Sequence, residues 1–225
     1  MANISIAIAE DQHLFRKGMI ALLNSIEDFE VIADGENGAD LLDKINHNEL
    51  KPDIFLLDLS MPVMDGLELT EHLKLINPYA NIIIVSAHDD KDIIVHLYEK
   101  GANAFIDKNA EPAEIELAIR NVHENGFYIN RMAQNALKEI ADKKEKPKLS
   151  SYKLELSKRE RDIVRLVCFE KSSSEIGTQL NLSTRTIENY RYKIMRKTNS
   201  KNMAGFILFS LKTGIVDLAE LKVKS

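Results

Sequence analysis

At 225 residues with 44% hydrophobic side chains, the chain is long enough to bury a core in each of two modest domains. A single cysteine, Cys168, excludes an internal disulfide framework; no apolar run reaches the roughly 18 residues that a membrane span needs, and MANISIAIAEDQ meets acid too early for a signal peptide, so a cytoplasmic, membrane-free protein is expected. The net charge of -5 conceals an asymmetry: residues 1–124 sum to -15, 125–149 to +3 and 150–225 to +7, an acidic module ahead of a basic one suited to a polyanion.

Through residues 1–124 short apolar runs alternate with longer amphipathic stretches. Strands are expected at 4–9, 30–34, 54–57, 81–86 and 104–106, and helices at 14–25, 38–46, 66–76, 91–100 and 111–124. This alternation predicts a flavodoxin-like (βα)5 α/β domain with a parallel sheet in the order 2-1-3-4-5 and a crevice at the carboxyl ends of its first and third strands. Over 125–155 the apolar spacing weakens into a linker: RMAQNALKEIA forms a helix that packs loosely, and lysines collect in DKKEKPKLSSYK. Residues 156–225 read as an all-α domain of four short helices, centred near Ile163, Ile176, Tyr190 and Ile207. Ser157 with Glu160 and Ser172 with Glu175 fit capping boxes, and Ser183 and Ser200 are candidate caps for the last two helices. The second and third helices are joined by 181–183, as in a helix-turn-helix.

The chemistry concentrates where strands end. Asp58 closes the third strand and Glu10 and Asp11 close the first, so three carboxylates converge. Like charges so crowded call for a cation, and Mg2+ with hard oxygen ligands fits best. Ser86 ends the fourth strand beside the small Ala87, and Lys108 follows the fifth. A carboxylate nucleophile, a metal, a hydroxyl donor and a lysine make a phosphoryl-transfer site. Asp58 would attack, Mg2+ and Lys108 would neutralise the phosphoryl oxygens, and Ser86 would hydrogen-bond one of them. Asp65 would cap the next helix, with Pro62 and Gly66 shaping the turn.

Glu10-Asp11, Asp58, Ser86, Lys108, the MPVMDG after Asp58 and the GANAFIDK before the fifth helix together resemble the receiver domain of bacterial two-component response regulators. The resemblance implies an aspartyl phosphate on Asp58, taken from the phosphohistidine of a sensor histidine kinase. Mg2+ would be held by Asp11, Asp58 and the backbone carbonyl of Ser60, with Glu10 assisting through water. It also implies a switch in which Ser86 moves toward the phosphoryl group and Phe105 rotates inward, altering the surface of the fourth helix, fifth strand and fifth helix. Phe105 stands where the family often has tyrosine, and Asp107 where an apolar residue is common. Ser60 and His88 occupy positions that tune the lifetime of the phosphoryl group.

Residues 156–214, with LSKRE at the entry, SSSEIGTQLNLS across the turn and TIENYRYKIMRK on the third helix, are similar to the four-helix DNA-binding domain of the LuxR/NarL type. On a helix over 184–197, Ile187, Tyr190 and Ile194 face the core, leaving Arg185, Glu188, Asn189, Tyr192, Lys193 and Arg196 on the opposite side. There Asn189 can read adenine, Glu188 can accept from cytosine N4, Lys193 or Arg196 can hold phosphates, and Thr186 supports backbone contact. Glu188 departs from the basic residue frequent at that position. The last helix, over 201–212, exposes Met203, Phe206, Ile207 and Leu211, some of which fill the core. The family uses this helix to dimerise, implying a homodimer on double-stranded DNA with inverted half-sites.

The expected function is a phosphorylation-controlled, DNA-binding transcriptional regulator with no enzyme activity beyond phosphoryl acceptance and autodephosphorylation at Asp58. A phosphorylation-independent regulator with a vestigial pocket stays open. An aspartate-nucleophile phosphatase is disfavoured, because such enzymes place a second aspartate where this chain has Ser60.

Overall fold

The computed structural model describes residues 3–88, 90–143, 156–169, 171–198 and 200–216. Five parallel strands, β1 (Ile4–Ala9), β2 (Phe29–Gly35), β3 (Ile54–Asp58), β4 (Asn81–Ser86) and β5 (Ala104–Asp107), form one sheet in the order β2-β1-β3-β4-β5. Between and after them run α1 (His13–Asn24), α2 (Gly38–His47), α3 (Gly66–Ile76), α4 (Lys91–Lys100) and α5 (Pro112–Asn125). The expected (βα)5 winding is therefore present. Each observed element lies within two residues of its expected bounds.

Helices on both faces explain why the strands read as almost unbroken apolar runs. One face, with Ile6, Ile8, Leu56, Ile83 and Ile106, packs against Met19 and Leu23 of α1 and Ile115 and Ile119 of α5. The other, with Ala7, Leu57, Ile82, Ile84 and Phe105, packs against Leu41 of α2, Leu69 and Leu73 of α3, and Ile94 and Leu97 of α4.

The apolar cluster on this second face continues into the rest of the chain. The segment expected as a loosely packed helix is α6 (Arg131–Lys143). Its packing is firm: Ala133, Ala136 and Leu137, spaced three and four residues apart, are buried against the cluster that contains α4. Asn130 fixes its start by accepting the Ala133 amide at 2.9 Å, and Lys91 pairs with Glu139 at 2.7 Å. Residues 144–155 of the expected linker lie outside the described residues.

Four helices follow: α7 (Lys158–Cys168), α8 (Ser173–Leu180), α9 (Thr184–Thr198) and α10 (Met203–Lys212). Both expected capping boxes form, at Ser157 with Glu160 and at Ser172 with Glu175. The turn between α8 and α9 places Asn181 in the left-handed region, at φ 54°. Gly177 lets the chain come back close, since a Cβ there would lie 2.6 Å from the Leu182 carbonyl oxygen. Ser183 accepts the Thr186 amide at 3.1 Å, as a cap should.

The start and the exposure of the last helix differ from expectation. Its cap is Asn202, whose Oδ1 accepts the Gly205 amide at 2.7 Å, while the expected cap Ser200 pairs with the Thr198 hydroxyl at 2.8 Å. Phe206 and Ile207 are 2% and 0% exposed, and Leu211 is buried too. The reason is that α10 contacts α4 and α6 of the first half of the chain as well as α7 and α9 of the second. The Met203 side chain lies outside what is described.

Candidate functional site

The carboxyl ends of β1, β3, β4 and β5 meet at one rim. Asp58 is the last residue of the buried strand IFLLD, and Glu10 follows β1 directly; both are buried. Lys108 bridges them, its Nζ 3.0 Å from Asp58 Oδ2 and 2.9 Å from Glu10 Oε2, with the ammonium 5.0 Å from the Phe15 ring centre. Burial opposes the charge on Lys108, but its hydrogen bonds to Glu10 and Asp58 outweigh that and hold its pKa above the ordinary value. Burial, only partly offset by Lys108, raises the pKa of Glu10.

Asp11 stays exposed, and single ligand oxygens of Glu10, Asp11 and Asp58 come within 4.8 Å of one another. Three hard oxygen donors at that spacing suit a small divalent cation such as Mg2+. Ser86 is buried beneath the rim, where its Oγ accepts the His88 amide at 3.1 Å. Ser60 is exposed in the loop after Asp58, and Phe105 is fully buried on the face of the sheet shared with α4.

That loop is tightly built. Met64 donates its amide to the Pro62 carbonyl at 2.8 Å, a three-residue turn that forces the β-branched Val63 to φ 69°. Amides of Gly38 and Gly66 hold its ends, each at 3.0 Å from Met64 and Leu59 carbonyls respectively. Gly66 must be glycine, because a Cβ would lie 2.2 Å from the Asp58 carbonyl oxygen. Asp65 and Glu68 form a capping box on α3. Asp107, unexplained in the sequence, accepts the Asn109 amide at 2.7 Å and shapes the turn after Lys108.

Two supporting residues gave no sequence signal. Arg16 donates to the Glu10 carbonyl and, at 3.1 Å, to Asp34, fixing the backbone of the acidic pair. Asn130 donates to the Phe105 carbonyl at 3.1 Å, joining α6 to β5.

On α9, Ile187 and Ile194 are buried and Tyr190 packs against the core, while Arg185, Glu188, Asn189, Tyr192, Lys193 and Arg196 are all exposed. Thr186 is half-buried in the helix cap, its hydroxyl 2.7 Å from that of Ser183. Arg196 lies over the Tyr192 ring at 5.9 Å. One edge of this face meets the α/β half of the molecule. The Tyr192 and Tyr79 rings are 6.3 Å apart, and Arg191 donates to the Asn125 carbonyl at 2.9 Å and to Ser173 Oγ at 2.8 Å. A cleft of about 450 Å3 there is lined by Lys74, Tyr79, Tyr192, Met195, Arg196 and Lys201 among others. Glu188 lines an adjoining cleft together with Lys74 and Lys201. The two halves are thus docked.

The family described as response regulator receiver domain matches residues 6–120, and the family described as bacterial regulatory proteins, luxR family, matches residues 154–210. The chain is 31% identical to the oxygen regulatory protein NreC of Staphylococcus haemolyticus over 95% of this chain and 100% of that one. It is 29% identical to the transcriptional regulatory protein DegU of Brevibacillus brevis over 95% of each. The response regulator RcsB in a DNA complex superposes with a TM-score of 0.55 at 21% identity, over 92% of this chain and 97% of that chain, a likeness of fold. The receiver domain of the putative response regulator NarL from Mycobacterium tuberculosis gives 0.51 at 27% identity, over 55% of this chain and 98% of that chain.

Proposed function

This chain belongs to the two-component response regulators that join a receiver domain to a luxR-type DNA-binding domain, and we propose that Asp58 is its phosphoacceptor and that phosphorylation there governs its binding to double-stranded DNA. The observation that carries this reading is the Asp58 carboxylate, delivered by a buried strand to a rim where Lys108 lies 3.0 Å away and two further acids converge. An Asp58 oxygen attacks the phosphorus of a kinase phosphohistidine. The new O–P bond forms as the N–P bond breaks, and the imidazole keeps the electron pair and takes up a proton.

Lys108 is placed to follow the phosphoryl oxygens, and the Ser86 hydroxyl to donate to one of them. Asp11, Asp58 and the Ser60 carbonyl would hold Mg2+, with Glu10 acting through water. Bound there, the ion would supply charge neutralisation at the transferring group. Arg185, Thr186, Glu188, Asn189, Tyr192, Lys193 and Arg196 form the DNA-facing set, used as a homodimer in the cytoplasm; RcsB, a fold relative, has been solved bound to DNA as dimers. Phe206 and Ile207 are buried in the docked arrangement and can serve the dimer only after α10 repacks.

The test is incubation of the full chain with Mg2+ and a small acyl phosphate, read by intact mass. One added phosphoryl group, absent in Asp58→Asn, is the expected result. No gain in mass, or an equal gain in the variant, refutes the assignment.

A further inference from the structure

We propose that Asn202 is the latch that holds the DNA-binding half closed on the receiver, gripping the distal end of α4, the helix that starts beside the phosphorylation pocket. This rests on the functional reading above and specifies how the pocket is regulated to reach DNA. One side chain performs two tasks. Its Oδ1 caps α10 by accepting the Gly205 amide at 2.7 Å, and its Nδ2 donates to the carbonyls of Gly101 and of Ala102, the latter at 2.6 Å. The bonds close a loop of 100 residues and are buried, with Asn202 5% exposed. An amide so placed loses its water on docking, so in the closed form its donors depend on the two receiver carbonyls.

The receptor of the latch is a firm structure. Gly101 ends α4 at φ 121°, a conformation that favours glycine. The Lys74 stem packs against it, so that a Cβ there would lie 3.0 Å from Lys74 Cγ and Cε. Lys74 Nζ is in turn anchored to the Ala80 carbonyl at 2.6 Å and to Asn103 Oδ1 at 3.3 Å. At its other end α4 is capped by Asp90, four residues after Ser86. With ten residues, the helix spans about 15 Å. A displacement of the Ser86 loop therefore acts on α4, and α4 carries it to the Gly101 carbonyl. Because the same asparagine starts α10, release of the latch frees the helix that carries the buried Phe206 and Ile207.

Capping and latching can be separated by one substitution. Aspartate caps a helix as well as asparagine does, yet it has no N–H to give the two carbonyls and repels them. Asn202→Asp is made in the full chain carrying Asp58→Asn, so that phosphorylation plays no part in the reading. Expected are unchanged far-ultraviolet helicity, a larger radius of gyration by small-angle scattering, and about tenfold tighter binding to a pool of random-sequence duplexes, the shift that loss of two buried hydrogen bonds implies. Retained helicity with an unchanged radius and unchanged affinity overturns the latch. Should the variant lose helicity, Asn202→Ser, which keeps a capping oxygen but has no amide N–H to give the two carbonyls, is made in the same Asp58→Asn chain and judges the latch by the same radius and affinity. Both variants are read without phosphorylation, so a failure of the phosphoacceptor reading, seen as no gain in mass, is told apart from a failure of the latch.

Discussion

Glu160 is the sharpest place to perturb the DNA-binding half. Its carboxylate is nearly inaccessible, with a side chain 2% exposed, yet it accepts from Lys197 Nζ at 2.7 and 2.8 Å and from the Ser157 amide at 2.8 Å. It ties the start of α7 to the end of α9. In Glu160→Gln the volume and the capping acceptor remain, but an amide replaces the anion before an ammonium. Hydrogen bonds to charged groups contribute about 1.5–3 kcal/mol. Lys197 is 34% exposed and can turn to water, so the expected loss sits low in that range, about 2 kcal/mol. A domain of this size is stabilised by about 3–10 kcal/mol and melts about 4–8 °C lower per kcal/mol lost, which predicts a fall of about 8–16 °C by calorimetry.

The pH dependence follows from the same contacts. Burial disfavours the Glu160 anion, but Lys197 and the Ser157 amide prevail and lower its pKa below the ordinary 4.5. A carboxyl depressed in the folded state contributes fully above its unfolded pKa, and the contribution is lost as pH falls through the folded value. The wild-type advantage over Glu160→Gln should therefore be constant at neutral pH and shrink below about pH 4.5. A variant melting within about 2 °C of wild type at neutral pH would refute the reasoning, since the pair would then behave as an exposed one.

Gly66→Ala sets a methyl group 2.2 Å from a backbone oxygen of Asp58; a loss of about 3 kcal/mol in urea denaturation, together with slowed phosphoryl uptake, is expected, and wild-type values for both would show that the loop yields freely. Lys74 has its pKa pushed down to about 7 by burial, with Lys201 adding repulsion. Its unfolded form binds the extra proton between about pH 7 and 10.5, so wild-type stability should rise with pH across that window relative to Lys74→Met, by at most one proton's worth of slope. Parallel stability curves for the two proteins would show that the amine is solvated when folded.

Much of the receiver was legible because its signals are local. Apolar runs ending in Glu10, Asp58, Ser86 and Lys108 place those groups at strand termini, and parallel winding brings such termini to one rim. The caps at Ser157, Ser172 and Asp65 were readable for the same reason, since each joins residues three apart. Asn202 marks the limit. As a cap it too is local, and a serine two residues earlier in NSKN competed for that role.

Only tertiary structure decides the second use of Asn202, because its other partners lie about 100 residues away. The same holds for the side of α10. Its sequence is apolar nearly all round, so no stripe distinguishes an exposed face from a core face, and only packing among α4, α6, α7 and α9 leaves Phe206 and Ile207 buried. Arg16, Asn130 and Arg191 act by donating to backbone carbonyls, which every residue carries, so no side-chain pattern announces the partner. The sequence by itself determined the two modules and which acids, hydroxyl and lysine meet at the rim of the sheet. How the modules hold one another was decided by non-local hydrogen bonds and burial, which exist only once the two surfaces meet.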